Sequence, residues 1–84
     1  MDRNLIIDHL FQAERHIREG MINIERQRQV IRDLERDGQD TRLSRSLLKQ
    51  FEDLLAMHVS DRHQILKELA NTHNKTWLPR HSAP

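Results

Sequence analysis

The chain has 84 residues, a length at which a single domain buries only about 60% of the surface that its unfolded chain exposes. It contains no cysteine, which excludes a disulfide-rich secreted scaffold and favours a reducing compartment. Fourteen Lys and Arg balance thirteen Asp and Glu to give a net charge of +1, so the chain lacks the basic excess of a typical nucleic-acid-binding protein.

The first residues do not have the pattern of a secretion signal or a membrane segment. Asp8 and His9 interrupt the apolar residues near the start, and no apolar run approaches the roughly 18 residues that a membrane-spanning helix requires. We therefore expect a soluble, cytoplasmic protein with no membrane partner.

Mostly apolar residues recur at alternating steps of four and three between residues 6 and 34. This spacing places them on one helix face and is typical of a helix that packs along another helix. We predict a first helix over about residues 4–37, capped by Asp2 or Asn4. The seam consists of Ile6, Leu10, Ala13, Ile17, Gly20, Ile24, Gln27, Ile31 and Leu34.

Gly38 lies where a left-handed residue would end the first helix, and residues 38–40 are predicted to form the turn. Asp40 or Thr41 then caps a second helix over about residues 41–70. A connection this short makes the two helices antiparallel. The fold class is therefore all-α, a coiled-coil-like hairpin whose second seam consists of Ser44, Leu48, Phe51, Leu55, His58, Arg62, Ile65 and Leu69.

The two seams can be aligned through the turn. The alignment pairs Gly20 with His58 and Gln27 with Phe51. In this register Gly20 makes room for the larger His58. The alternative is a glycine that the helix merely tolerates.

Further apolar residues lie outside both seams, and a two-helix hairpin has only one internal interface to cover them. We predict a homodimer that forms a four-helix bundle. The alternatives are another helical protein on the same surface, or a C-terminal tail that folds across it. The interface candidates outside the seams are Leu47 and Leu54 on one flank of the second helix, Val59 and Leu66 on its other flank, and Met21 and Val30 on the first helix.

Residues 71–84 lose the seam. Pro79 disfavours helix at Leu78, so an irregular tail is expected. Trp77 would either rest on the bundle or belong to a short partner-binding peptide.

Gln27, His58 and Arg62 are polar residues in otherwise apolar seams. A buried arginine is costly when unpaired, so Arg62 is expected to reach solvent or a carboxylate, Glu14 or Glu19. Polar layers of this kind can fix the register and the oligomeric state. His58 could instead make an interface sensitive to pH.

His9 and His16 share one edge of the first helix, and His16 is expected near His58. A helix that provides two metal ligands usually spaces them by three or four residues, whereas His9 and His16 are seven apart. The Glu-x-x-His pattern of di-iron bundles is also missing. We expect no metal or cofactor, with a histidine-based metal-binding bundle as an alternative.

The sequence shows no arrangement typical of catalysis, neither a nucleophile with an orienting histidine and acid nor a glycine-rich phosphate loop, so we expect no enzyme activity. Seven basic residues near the hairpin tip allow a second alternative, a small nucleic-acid-associated regulator. Acidic residues alternate with them, and for this reason we expect solvated ion pairs. The basic residues are Arg26, Arg28, Arg32, Arg36, Arg42, Arg45 and Lys49.

Several residues of the two helices together carry a resemblance to a group of short, uncharacterised helical-hairpin proteins of alphaproteobacterial type. The resemblance implies a hairpin fold and no activity or ligand. We predict a small, non-enzymatic helical interaction or oligomerisation module. The matching residues are His9-Leu10, the run Ala13-Glu14-Arg15-His16-Ile17, Gly20, Gln27-Arg28, Ile31, Leu34, Gly38, Asp40-Thr41, Leu47-Leu48 and Phe51-Glu52.

Overall fold

The computed structural model describes the backbone of residues 2–82 and the side chains of residues 2–72. It consists of two helices, α1 over Arg3–Arg36 and α2 over Arg42–Ser82, with no strand among the described residues. The helices pack along each other as a hairpin that forms a rod of 73 × 16 × 15 Å. The prediction of an all-α fold with two packed helices is confirmed.

Both ends of α1 are closed by local hydrogen bonds. The Asp2 carboxylate accepts a hydrogen bond from the Asn4 backbone N–H at 3.3 Å. At the other end, the Gln39 N–H donates to the Leu34 carbonyl at 2.8 Å and the Gly38 N–H donates to the Glu35 carbonyl at 3.1 Å. Gly38 has φ +69°, so this end is a Schellman motif with glycine in the left-handed position, as its place after the seam predicted.

Gly38→Ala is expected to lower the free energy of unfolding by about 1 kcal/mol, because an L-residue in the left-handed region costs roughly 1–2 kcal/mol. No atom lies within 4 Å of a Cβ built at this position, so the loss comes from the backbone alone. Gly38→Asn, which tolerates this conformation better, should lose less. Urea denaturation at fixed protein concentration measures both variants, and an alanine variant as stable as the parent would contradict the left-handed cap.

The start of α2 is held by a charged pair next to the turn. The Asp40 carboxylate accepts hydrogen bonds from the backbone N–H of Arg42 at 3.0 Å and from its Nη2 at 2.7 Å. The Arg42 side chain, followed by its backbone N–H, lowers the pKa of Asp40 below its ordinary value. A lowered carboxyl pKa contributes stability above the pKa of the unfolded chain, and this contribution is lost as the pH falls through the folded-state pKa.

The end of α2 differs from the sequence expectation. The second helix was expected to end at about residue 70, whereas α2 continues to Ser82 and includes the position of Leu78 before Pro79. Residues 71–77 keep a backbone N–H and cost only their modest helix propensities, whereas Pro79 lies inside α2 without an N–H and makes the helical conformation at Leu78 costly. The Thr72 hydroxyl donates to the Glu68 carbonyl at 2.9 Å, four residues back, as in a continuing helix. The predicted role of Trp77 lies outside the described side chains.

The buried residues among those described all belong to α1. They lie on its predicted seam and consist of Ile6, Ala13, Ile24, Gln27 and Ile31. Between residues 42 and 72, α2 contains no buried residue, and its own seam is only half-buried. The interface between the two helices therefore covers the centre of α1 well and the centre of α2 incompletely.

The closest contact at Gly20 differs from the one that the alignment of the two seams predicts. A Cβ built at Gly20 would lie 3.3 Å from Cδ1 of Leu55, three residues before the expected His58. The Leu55 side chain packs into the space that the missing glycine side chain leaves. His58 contacts His16, as the sequence predicted, and lines one groove together with Gly20. Leu55, and not His58, therefore fills the space at Gly20, and the predicted close packing at this glycine agrees with the contact.

Candidate interaction surface

One side of the hairpin, here called the ion-pair flank, is crossed by salt bridges between the helices. The distances are 2.6 Å between Arg45 Nη2 and Glu35 Oε2, 3.6 Å between Arg28 Nη2 and Glu52 Oε2, and 3.4 Å between Arg62 Nε and Glu14 Oε2. The last pair provides the carboxylate expected for Arg62. Because docking here would remove these charges from water, the flank is a poor site for a dry interface.

Met21, Val59 and Leu66 belong to the ion-pair flank. Met21 lines a shallow groove together with Arg28 and Leu55. Val59 and Leu66 follow Glu52 by seven and fourteen residues, which places them on the same line of α2. Met21 is 58% exposed and Val59 48% exposed, and they lie seven residues from Arg28 and Glu52, so charged layers border them along this flank.

The opposite side of the hairpin is here called the histidine flank. The rings of His16 and His58 have centroids 4.8 Å apart and an angle of 44° between their planes. They line an open groove of about 350 Å³ together with His9, Asp61 and Glu68. Within the described residues, no three His, Asp or Glu side chains are grouped so that they could hold one metal ion. The proximity of His16 and His58 therefore adds no support to the metal-binding alternative.

Toward the turn, the histidine flank becomes apolar. Asn23 and Leu54 lie together on it beside His16. Val30 follows Asn23 by seven residues and therefore lies on the same line of α1. Leu47 precedes Leu54 by seven residues and lies on the same line of α2. Their exposed fractions are 43% for Val30, 39% for Leu47 and 45% for Leu54. Val30, Leu47 and Leu54 therefore lie on one flank of the hairpin, whereas Met21, Val59 and Leu66 lie on the other.

Gln27 is the one buried polar residue among those described, with 8% of its surface exposed. Its Nε2 donates to the Ser44 backbone carbonyl at 2.9 Å. No buried side-chain nitrogen or oxygen among the described residues lacks a hydrogen-bond partner. Gln27 therefore ties the interior of α1 to the start of α2 without leaving an unpaired polar group.

The basic residues near the turn are mostly paired with carboxylates. Six of the seven lie within 4.0 Å of an acidic side chain, which agrees with the expected solvated ion pairs and leaves no continuous basic surface. The pairs are Arg28–Glu52, Arg32–Glu25, Arg36–Asp33, Arg42–Asp40, Arg45–Glu35 and Lys49–Asp53.

Comparison with known proteins adds no relative. No protein-family model, curated protein or solved structure matches this chain. The resemblance to alphaproteobacterial hairpin proteins therefore stays a prediction from the sequence. Neither helix, over the residues described, contains a stretch long and apolar enough to span a lipid bilayer.

The sequence analysis missed part of the apolar surface on α2. Leu43 is 84% exposed and Met57 is 54% exposed. Together with Leu47, Gln50 and Leu54 they recur at steps of four, three, four and three. This spacing is present in the sequence, but the prediction included only Leu47 and Leu54, because Leu43 and Met57 lie farther round α2 from its inner seam.

Proposed function

We propose that this chain is a small, non-enzymatic oligomerisation module of the cytoplasm whose hairpin pairs with a second copy to form a four-helix assembly. The observation that carries the proposal is the incomplete burial of α2. Among its residues 42–72, the residues of the inner seam are only half-buried and a second apolar line faces outward. Large apolar surfaces of this extent usually mark an interface.

The size of the chain supports the same proposal. The described core holds four buried apolar residues, Ile6, Ala13, Ile24 and Ile31, and the chain has no disulfide to reinforce it. Small domains without disulfides or metals commonly gain stability by oligomerisation. A tail that folds back over the hairpin is disfavoured as the cover, because residues 71–82 continue the α2 helix.

Light scattering over a tenfold concentration range tests self-association directly. We expect a mass of about twice 10.1 kDa that a chelator does not change. A 10.1 kDa species at every concentration would contradict the homodimer. A dimer that dissociates on addition of chelator would favour the metal-binding alternative instead.

Two matched variants distinguish the flanks. Leu54→Glu introduces a charge on the histidine flank, and Val59→Glu introduces the same charge at a similarly exposed position on the ion-pair flank. We expect Leu54→Glu to weaken dimerisation by about 100-fold or more, since burying an unpaired carboxylate costs several kcal/mol. Val59→Glu should leave the mass unchanged. The reverse pattern would move the interface to the ion-pair flank.

A further inference from the structure

The outward line of α2 repeats the spacing of an interhelical seam. Leu43, Leu47, Gln50, Leu54 and Met57 are all exposed and follow one another at steps of four, three, four and three. Because such spacing keeps residues on one helix face over two heptads, this line is a second seam on a helix whose first seam already faces α1. We call it the outer seam.

The outer seam has no charged residue between its two ends. Beyond Met57 the same line continues through Asp61, Gln64 and Glu68, so its apolar part ends one turn later at a carboxylate. On α1, the neighbouring line of the histidine flank contributes a single apolar residue near the turn, Val30. Contact with a partner is therefore concentrated on α2.

We propose that a second copy of this chain docks on the outer seam, with the two α2 helices antiparallel and the twofold axis beside Gln50. This inference rests on the proposed function and specifies its interface. The apolar residues are arranged symmetrically about Gln50. An antiparallel pair places Leu47 of one copy against Leu54 of the other, and Leu43 against Met57.

Charge decides between the antiparallel and the parallel arrangement. A parallel pair would align Asp61 with Asp61 and Glu68 with Glu68 of the second copy, and like charges placed opposite each other are unfavourable. The antiparallel pair moves Glu68 beyond the contact. It places Asp61 opposite residues 39 and 40 of the second copy, where Arg42 neutralises the Asp40 carboxylate.

The size of the contact and the central glutamine fit a specific dimer. Complete burial of the exposed side-chain surface of the outer seam in both copies would remove at most about 1,000 Å² from water, the size of a small interface. Gln50 meets Gln50 on the axis, where the two amides can donate to each other. A single polar residue in an apolar seam fixes the register, as Gln27 does inside the hairpin.

Cysteine cross-linking tests the orientation cleanly, because the chain has no cysteine of its own. The variants are Leu43→Cys, Met57→Cys and Gln50→Cys, each oxidised under mild conditions after its dimeric mass has been measured. A disulfide requires Cα atoms within about 7 Å. Residues 43 and 57 are separated by about 21 Å along the helix, so the two orientations give different products.

In the antiparallel dimer, an equal mixture of Leu43→Cys and Met57→Cys forms the disulfide about tenfold faster than either variant alone, because the facing thiols have a high effective concentration. Gln50→Cys cross-links by itself. Val59→Cys, on the ion-pair flank, is the control for random collision and should react slowly. Rapid cross-linking of Leu43→Cys with itself would overturn the antiparallel arrangement.

The mass measurement separates failure of this inference from failure of the proposed function. A dimeric Gln50→Cys protein that does not cross-link would show that the copies meet elsewhere, while self-association stands. If the Gln50→Cys protein is monomeric, its mass is compared with that of the parent chain. A monomeric parent would overturn both proposals.

Discussion

Ile24→Ala is expected to lower the free energy of unfolding by about 2–4 kcal/mol, which is a large part of the total stability of a chain of this size. Ile24 is 7% exposed at the centre of the α1 seam. Truncation removes buried methyl groups and leaves a cavity, which the two stiff helices close only in part. Thermal unfolding followed by circular dichroism should show the midpoint lowered by more than about 10 °C.

Ile22→Ala provides the matched control, since the same substitution is made two residues away on the same helix. Ile22 is 51% exposed, and alanine has the higher helix propensity, so we expect a change within about 0.5 kcal/mol. Both variants are compared at one protein concentration, because the apparent stability of a dimer depends on concentration. An equal loss for the two variants would contradict the burial pattern that places Ile24 inside and Ile22 outside.

Gly20→Leu is expected to lower the free energy of unfolding by about 1–3 kcal/mol through overpacking. A Cβ at this position already meets Leu55 Cδ1 at 3.3 Å and Leu55 Cβ at 3.7 Å. The remaining carbons of leucine must displace the Leu55 side chain or turn into the groove beside Gly20, and either change disturbs the contact between the helices. This strain exceeds the gain of about 1 kcal/mol from removing a glycine inside a helix.

Gly20→Ala separates the strain of overpacking from the gain in helix propensity. Its single methyl group requires Leu55 Cδ1, the end of a flexible side chain, to move by a few tenths of an ångström. We therefore expect the alanine variant to equal or exceed the parent in stability. Adding Leu55→Ala to Gly20→Leu should recover part of the loss, because the two residues share one space. A leucine variant as stable as the parent would rule out close packing at Gly20.

The local elements of the hairpin could be predicted because their causes lie within a few residues. The spacing from Ile6 to Leu34 defines the buried face of α1, and each residue buried in the structure is on it. Gly38 marks the end of that helix because few other residues adopt φ near +69°. The short turn then makes the helices antiparallel.

The candidate interaction surface could be predicted only in part. Leu47, Leu54 and Val30 were identified as uncovered, but so were Met21, Val59 and Leu66 on the other flank. Heptad spacing alone does not show which flank of a helix is the interaction surface. Only packing against α1 showed which flank carries interhelical salt bridges and which is apolar near the turn.

The sequence by itself thus determined the two helices, their inner seams and the turn, because periodicity and backbone preferences act over neighbouring residues. The tertiary structure decided the contact at Gly20, where Leu55 and not His58 fills the space beside the glycine. It also decided the separation into an ion-pair flank and a histidine flank. These features depend on side-chain volume and charge across the interface between the helices, where contacts join residues far apart in the chain and several registers satisfy the same spacing.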